Sequence, residues 1–290
     1  VRVLVSGASG LIGTALVERL RARGDEVTRL VRREARSPGE VRWDALTLDP
    51  AVMDAVDAVV NLSGATVGRI PWTPAYRRTL LESRVRPTVA LAEAMVAASA
   101  PPGVFVSASA TGYYGDRPGE LLDEESGPGT GFFPELVTAW EAAAAIASGA
   151  TRVVHARSAV VIARGGGMTP IRLLTSFGLG AGFSRGTQYW PWISLQDEVS
   201  ALLHLVFSRL TGPVILAGPA AATSDQVTEA FARVLRRPHL LRVPSLAVKA
   251  LGEAGSRLLL DDAHVVPGKL TADGFVWAHP TITDAVRAIS

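Results

Sequence analysis

Cysteine is absent from these 290 residues, and lysine is reduced to Lys249 and Lys269. Without a thiol there is no disulfide, no thiol nucleophile and no thiolate metal site. The five histidines (His155, His204, His239, His264 and His279) lack the paired spacing of metal ligands, so no metal centre is expected. No apolar run approaches bilayer-spanning length, and no charged leader with an apolar core precedes the first strand. A cytoplasmic protein with no membrane contact is expected. Lys and Arg total 29 against 27 Asp and Glu, a net charge of +2, yet the isoelectric point is about 9.3. With no cysteine and four tyrosines, little titrates between histidine and lysine, so a small excess carries the isoelectric point upward. Neither value is a nucleic-acid footprint. The arginine-rich run from Arg19 to Arg42 is interrupted by Asp25, Glu26, Glu34 and Glu40 and reads as a solvated face.

What is present is apolar: 48% of residues are hydrophobic, enough for a large core in one or two domains. Val3 to Val5 is the β-branched pattern of a strand buried on both faces. Gly7, Gly10 and Gly13 follow at intervals of three, then a helical pattern with Ile12, Leu16 and Leu20 on one face and Gly24 as its C-terminal cap. In such an arrangement the first glycine permits the turn, the second lets a pyrophosphate approach the backbone, and the third lets helix and strand pack closely. The helix N-terminus then faces the anion. The opening of the chain therefore predicts a dinucleotide cradle.

Glu26 to Val31 reads as a second strand that ends in Arg32-Arg33. An acidic residue here would bond the ribose 2′-hydroxyl of NAD, whereas arginine accommodates the 2′-phosphate of NADP. With no Asp or Glu from Leu30 to Arg33, Arg32 points to NADP(H). Val41 to Asp44 is a third strand, with Asp44 placed either for the adenine side or as a cap of the next segment. Asp57 to Ala65 is a fourth strand running into small residues, Ser63 and Gly64 among them. Trp72 to Arg84 is helical, and Pro87 begins or kinks a further helix through Ala98, whose face would serve a homodimer or the sheet. Val104 to Ser107 is strand five, Leu136 to Ala147 a helix, Arg152 to Arg157 strand six, and Val214 to Ala217 a last strand. This alternation argues for an α/β, doubly wound parallel sheet. Gly165 to Gly186 leaves the alternation as a glycine-rich stretch, with Gly180 to Gly186 either closing over a ligand or forming only a loop, and from Pro219 onward the pattern is helices and loops. Residues 1–162 with 192–218 thus form a dinucleotide-binding domain of Rossmann type. Residues 163–191 with 219–290 form a smaller, mostly helical lobe, and the cleft between the two would take a small-molecule substrate.

Gly7-Ala8-Ser9-Gly10-Leu11-Ile12-Gly13, Asn61-Leu62-Ser63-Gly64-Ala65, the segment Ser107 to Gly115 and Trp192 to Asp197 resemble motifs of the extended short-chain dehydrogenase/reductases, the branch of nucleotide-sugar epimerases and dehydratases. Trp72-Thr73, Ser83-Arg84-Val85, Trp140-Glu141, Arg157-Ser158, Arg236-Arg237-Pro238 and Leu270 to Phe275 are similar to an atypical "epimerase family" subgroup whose tail is a domain of unknown function. The resemblance covers nearly the whole chain. It implies NADP(H) as cofactor, held by Ser9, Gly10, Leu11, Ile12, Val31, Arg32, Leu62, Ser63, Arg84 and backbone near Val160.

One departure concerns catalysis. Ordinary members of the superfamily carry Tyr-x-x-x-Lys on the helix after strand five, the lysine lowering the tyrosine pKa for proton exchange. The corresponding segment here is Val137-Thr138-Ala139-Trp140-Glu141, and neither lysine is near it. Candidates for the missing role are the phenols of Tyr113 and Tyr114, the hydroxyls of Ser109 and Thr111, and Glu141 as a base. The tyrosine pair reads equally as packing, and Glu141 as a salt-bridge anchor. Three functions remain open. They are an NADP(H)-dependent oxidoreductase or epimerase, a non-catalytic NADP(H)-binding regulatory or scaffold module, and a redox-neutral cyclase or lyase.

Overall fold

Alternate residues of the first strand feed two different cores. In the computed structural model, which describes residues 1–290, Val3 and Val5 pack with Leu16, Val17 and Leu20 on one side of a sheet. Leu4 packs with Met53, Leu91 and Met95 on the other. The same division runs along the sheet, with Val104, Val106, Val154 and Ala156 on the first side and Phe105 and Val153 on the second. A strand apolar on both faces has no solvated side, which is why these runs lack polar alternation.

The sheet has seven strands: β1 (Arg2–Ser6), β2 (Glu26–Val31), β3 (Glu40–Arg42), β4 (Ala58–Asn61), β5 (Val104–Ala110), β7 (Arg152–Ser158) and β11 (Gly212–Leu216). Their order is β11-β7-β5-β4-β1-β2-β3, and every pairing is parallel. Helices α1 (Leu11–Ala22) and α6 (Leu195–Phe207) cover the first face; α2 (Ala51–Asp54), α3 (Pro74–Ala97) and α4 (Phe132–Ala145) cover the second. The strand order reverses between β1 and β4, and the crevice at their carboxyl ends is where an open α/β sheet takes its ligand.

The remaining elements are α5 (Thr169–Ser176), α7 (Ser224–Val234), α8 (Ser245–Lys249), α9 (Gly252–Leu259), α10 (Gly268–Ala272) and α11 (Ile282–Arg287), with three parallel strand pairs. The pairs are β6 (Leu121–Leu122) with β13 (His264–Val265), β8 (Val160–Ile162) with β10 (Trp192–Ser194), and β9 (Gly180–Phe183) with β12 (His239–Val243). A separate apolar cluster of Trp190, Trp192, Val227, Phe231 and Val286 holds this part together. No helix is long and apolar enough to cross a membrane.

Two expectations need correction. Pro87 does not begin a further helix: α3 runs from Pro74 to Ala97 with Pro87 buried inside it. An internal proline costs about 3 kcal/mol, and the burial of Ala90, Leu91, Ala94 and Met95 on the turns beyond it offsets that cost. The stretch Gly165 to Gly186, which leaves the alternation, contains α5 and β9. Pro170 starts α5 at its first turn. Within β9, Gly180 and Gly182 leave room for Pro238 and Asp225 respectively, which a Cβ would strike. Finally, the segment after Pro219 includes β12, paired with β9 across more than fifty residues, a contact that no local pattern reveals.

Candidate functional site

The N-terminus of α1 differs from those of α3, α6 and α7, and, unlike the equally uncapped α4 with Glu135, it has no acidic residue in its first turn. Thr73, Ser194 and Thr223 each accept a backbone N–H at the start of α3, α6 and α7, whereas the first turn of α1 has no side-chain cap and no acidic residue. Its donors are therefore available to an external anion. The turn before it demands glycine. Gly7 has φ +69°, and a Cβ there would lie 2.5 Å from the Leu62 carbonyl oxygen. A Cβ on Gly13 would run into the Gly7 carbonyl, and one on Gly10 would lie 3.3 Å from it. Ser9, Leu11 and Ile12 stand at the mouth of this turn, and Gly166 lies against Leu11.

Beneath the cradle, a buried polar chain ties β1, β4, α3 and α4 together. Ser6 Oγ donates to Asn61 Oδ1 (2.5 Å), and Asn61 Nδ2 donates to Thr88 Oγ1 (2.8 Å). Trp140 Nε1 also donates to Thr88 Oγ1 (3.0 Å), and Thr88 donates onward to the Arg84 carbonyl (2.6 Å). Ser63 closes the chain, its N–H donating to Asn61 and its hydroxyl to Ser6. Arg84 reaches across Gly64, where a Cβ would lie 3.1 Å from its Cζ, and donates to the Leu80 and Ala65 carbonyls. It has no carboxylate partner, and burial lowers its pKa to about 10.

The arginines at the end of β2 divide clearly. Arg29 and Arg33 both bind Glu40, at 2.7 Å each, and the Arg33 bond, followed by the Arg36 N–H, holds the Glu40 carboxyl down at about 2. Arg32 is exposed at the strand end beside Val31 and makes no such pair. Asp44 lies beyond β3, and its carboxylate accepts the N–H groups of Leu46 and Thr47, the capping alternative. Val160 opens β8 directly after β7, with its N–H bonded to Pro191.

At the carboxyl ends of β5 and β7 the predicted catalytic residues meet a partner that sequence reasoning gave no role, Arg157. Its Nε and Nη2 donate to both oxygens of Glu141, at 2.8 and 2.9 Å, with side chains 3% and 13% exposed. Burial by itself would lower the Arg157 pKa, but the bonds to Glu141 outweigh it and drive it upward. Arg157 Nη1 donates to the Tyr114 hydroxyl (2.9 Å), which donates to the Asp123 carbonyl (2.8 Å). Tyr114 is wholly buried, and burial pushes its pKa up to about 12. Tyr114 is thus a core residue that presents no phenol to a cleft, a correction that follows from the 3-10 turn Thr111–Tyr113. That turn leaves Tyr113 partly exposed, edge-on to Tyr114 at 5.3 Å and with Arg157 Cζ 3.5 Å from its ring centre. Ser109 Oγ donates to Glu141 Oε1 (2.6 Å), and Thr111 is buried with its hydroxyl 3.5 Å from the Ser158 carbonyl. Glu141 therefore takes its salt-bridge alternative.

A second glutamate went unnoticed in the sequence. Glu198, on α6, is fully buried; its Oε1 accepts from Ser158 Oγ (2.6 Å) and its Oε2 has no partner. Burial raises its pKa to about 7 in spite of the Ser158 bond.

Comparison with known proteins agrees with this arrangement. The pattern of the NAD dependent epimerase/dehydratase family matches residues 3–214, and that of a domain of unknown function, DUF1731, matches residues 243–289. An epimerase family protein of Mycobacterium tuberculosis is 42% identical over 291 residues, spanning 98% of this chain and 96% of its own. The human epimerase family protein SDR39U1 is 35% identical over 298 residues, 99% of each chain. The crystal structure of human SDR39U1 (isoform 2) with NADPH superposes with a TM-score of 0.92 at 34% identity, covering 100% of this chain and 99% of that one.

Proposed function

This chain belongs to the NAD-dependent epimerase/dehydratase family, and from that premise we propose that it binds NADP(H) across the carboxyl ends of β1, β2 and β4. We further propose that it performs hydride chemistry on a small polar molecule without a Tyr–Lys pair. The observation that carries the cofactor reading is the unpaired Arg32 beside the uncapped N-terminus of α1: Glu40 engages both neighbouring arginines and leaves this one for a 2′-phosphate. The NADPH in the crystal structure of the human relative supports the same reading. Gly7, Ser9, Gly10, Leu11, Ile12 and Gly13 would hold the pyrophosphate. Leu62, Ser63, Gly64 and Arg84 would line the path toward the reacting end, with Val31 on the adenine side and Val160 beside the nicotinamide. The bound nicotinamide would supply or accept the hydride.

The proton side differs from that of an ordinary reductase. Ser109 commits its proton to Glu141, so its remaining lone pairs are acceptors and would orient a substrate hydroxyl. Both Glu141 oxygens are already engaged by Arg157. Of the two phenols only Tyr113 is partly exposed. The same committed pair favours a second reading, a non-catalytic NADP(H)-binding module; a redox-neutral reaction would use the same cleft.

The test is a fluorescence titration with NADPH and NADH, repeated on Arg32→Glu. NADPH should bind at least about tenfold more tightly than NADH, and the variant should lose that preference. An unchanged preference in the variant would remove Arg32 from the site. NADPH consumption with a panel of carbonyl compounds then separates the enzyme from the module.

A further inference from the structure

The parallel pair β9–β12 ends in a tip that the rest of the chain leaves uncovered. Both strands begin there, with His239 opposite Gly180. A register shift between His239 and Leu241 expels Leu240 from the ladder, and its side chain is 87% exposed. Beside it, the turn that leads from α5 into β9 carries Phe177 and Leu179, 73% and 52% exposed. Gly178, at φ +81°, makes that turn. Single exposed leucines are ordinary on a protein surface, but large apolar side chains converging from two segments on one tip form a patch.

The two segments that form the tip carry charge of one sign, while α7, packed against them, carries Asp225 and Glu229 on the side of Arg242. The segments 169–183 and 233–243 contain five arginines (Arg172, Arg233, Arg236, Arg237 and Arg242) and no acidic residue. Arg242 is tied to Asp225, whereas Arg236 and Arg237, immediately before the strand, are exposed. A net charge of +2 for the whole chain conceals this segregation.

We propose that this tip docks the protein on an anionic lipid surface, with Phe177, Leu179 and Leu240 entering the headgroup boundary and Arg236 and Arg237 meeting lipid phosphates. Protruding apolar side chains ringed by arginine suit that boundary, because the guanidinium groups stay with the phosphates while the apolar groups leave water. A second copy fits poorly, since identical tips would bring like charges together. The contact is peripheral and needs no membrane-spanning segment.

The experiment is co-sedimentation of the whole protein with vesicles of phosphatidylcholine and with equimolar phosphatidylcholine and phosphatidylglycerol. Binding to the anionic vesicles should be at least about tenfold stronger and should fall as salt rises. Phe177→Glu with Leu240→Glu should abolish it, and Arg236→Glu with Arg237→Glu should reduce it to the neutral-vesicle level. The thermal midpoint, unchanged in both variants, serves as the folding control. Equal binding to both vesicle types would overturn the proposal, as would anionic binding that survives the apolar variant. So would the absence of vesicle binding together with a dimer that Leu240→Glu dissolves, which would assign the tip to self-association.

Discussion

Arg157 and Ser158 are consecutive residues of β7, and each holds a buried glutamate, yet the two glutamates live in opposite electrostatic worlds. Strand alternation sends Arg157 toward α4 and Ser158 toward α6. Glu141 receives a two-point guanidinium bond and a serine hydroxyl. Glu198 receives one serine hydroxyl and keeps an orphaned oxygen. A buried carboxylate is tolerable when a cation shares its site; without one, burial favours the neutral acid. On α4 the Glu141 carboxylate is thus fully engaged by a cation from β7, whereas the Glu198 carboxyl on α6 has none.

Breaking the paired side should have the largest effect. Glu141→Ala strands the Arg157 guanidinium and should cost about 3–5 kcal/mol of unfolding free energy, measured by urea denaturation. Replacing both partners, Glu141→Gln with Arg157→Met, should recover most of that loss. If the double variant is as unstable as the single one, the pair is not acting as a closed unit.

The unpaired side should respond with the opposite sign. The Glu198 pKa lies at about 7 in the fold against 4.5 for the free side chain. Its contribution is therefore fully present below about pH 4.5 and is lost as pH rises to about 7. Glu198→Gln should remove this pH dependence and stabilise the protein at pH 8 by about 2–3 kcal/mol. Urea melts at pH 5.5 and pH 8 provide the measurement, and a wild type equally stable at both would show that Glu198 is not a titrating group of the fold.

The smallest effect lies at the margin of the paired cluster. Tyr114→Phe removes one donor to Asp123 and one acceptor from Arg157 and should cost about 1 kcal/mol. Because Tyr114 is sealed in the core, the variant should leave NADPH affinity unchanged, and a large change in that affinity would mean that the hydroxyl reaches the cleft after all.

Much of the fold was legible because its signals are local. Val3 to Val5 is a run whose β-branched, two-face apolar character leaves little alternative to a buried parallel strand, and Glu26 to Val31 and Arg152 to Arg157 were legible from their alternation with helical segments. The cradle was legible for the same reason, since three glycines between a strand and a helix are a steric requirement written in consecutive residues. Arg32 was legible as a candidate, but its freedom was not: that depends on Glu40 of β3 taking both Arg29 and Arg33. Tyr113 and Tyr114 are indistinguishable as letters, and one turn of 3-10 helix separates their fates. Glu198 gave no signal, because an acidic residue in the first turn of a helix is ordinarily solvated and favourable there. Its burial comes from the packing of α6 on the sheet.

By itself, then, the chain determined its alternating strands and helices, its glycine turn and the absence of a Tyr–Lys pair, all consequences of sterics and periodicity over a few residues. Tertiary structure alone decided which glutamate has a cation, which tyrosine is sealed, which arginine is free and which leucine is expelled at the tip of β9–β12. Each of those outcomes depends on groups brought together from distant segments, and burial and charge pairing are properties of that meeting rather than of any stretch of sequence.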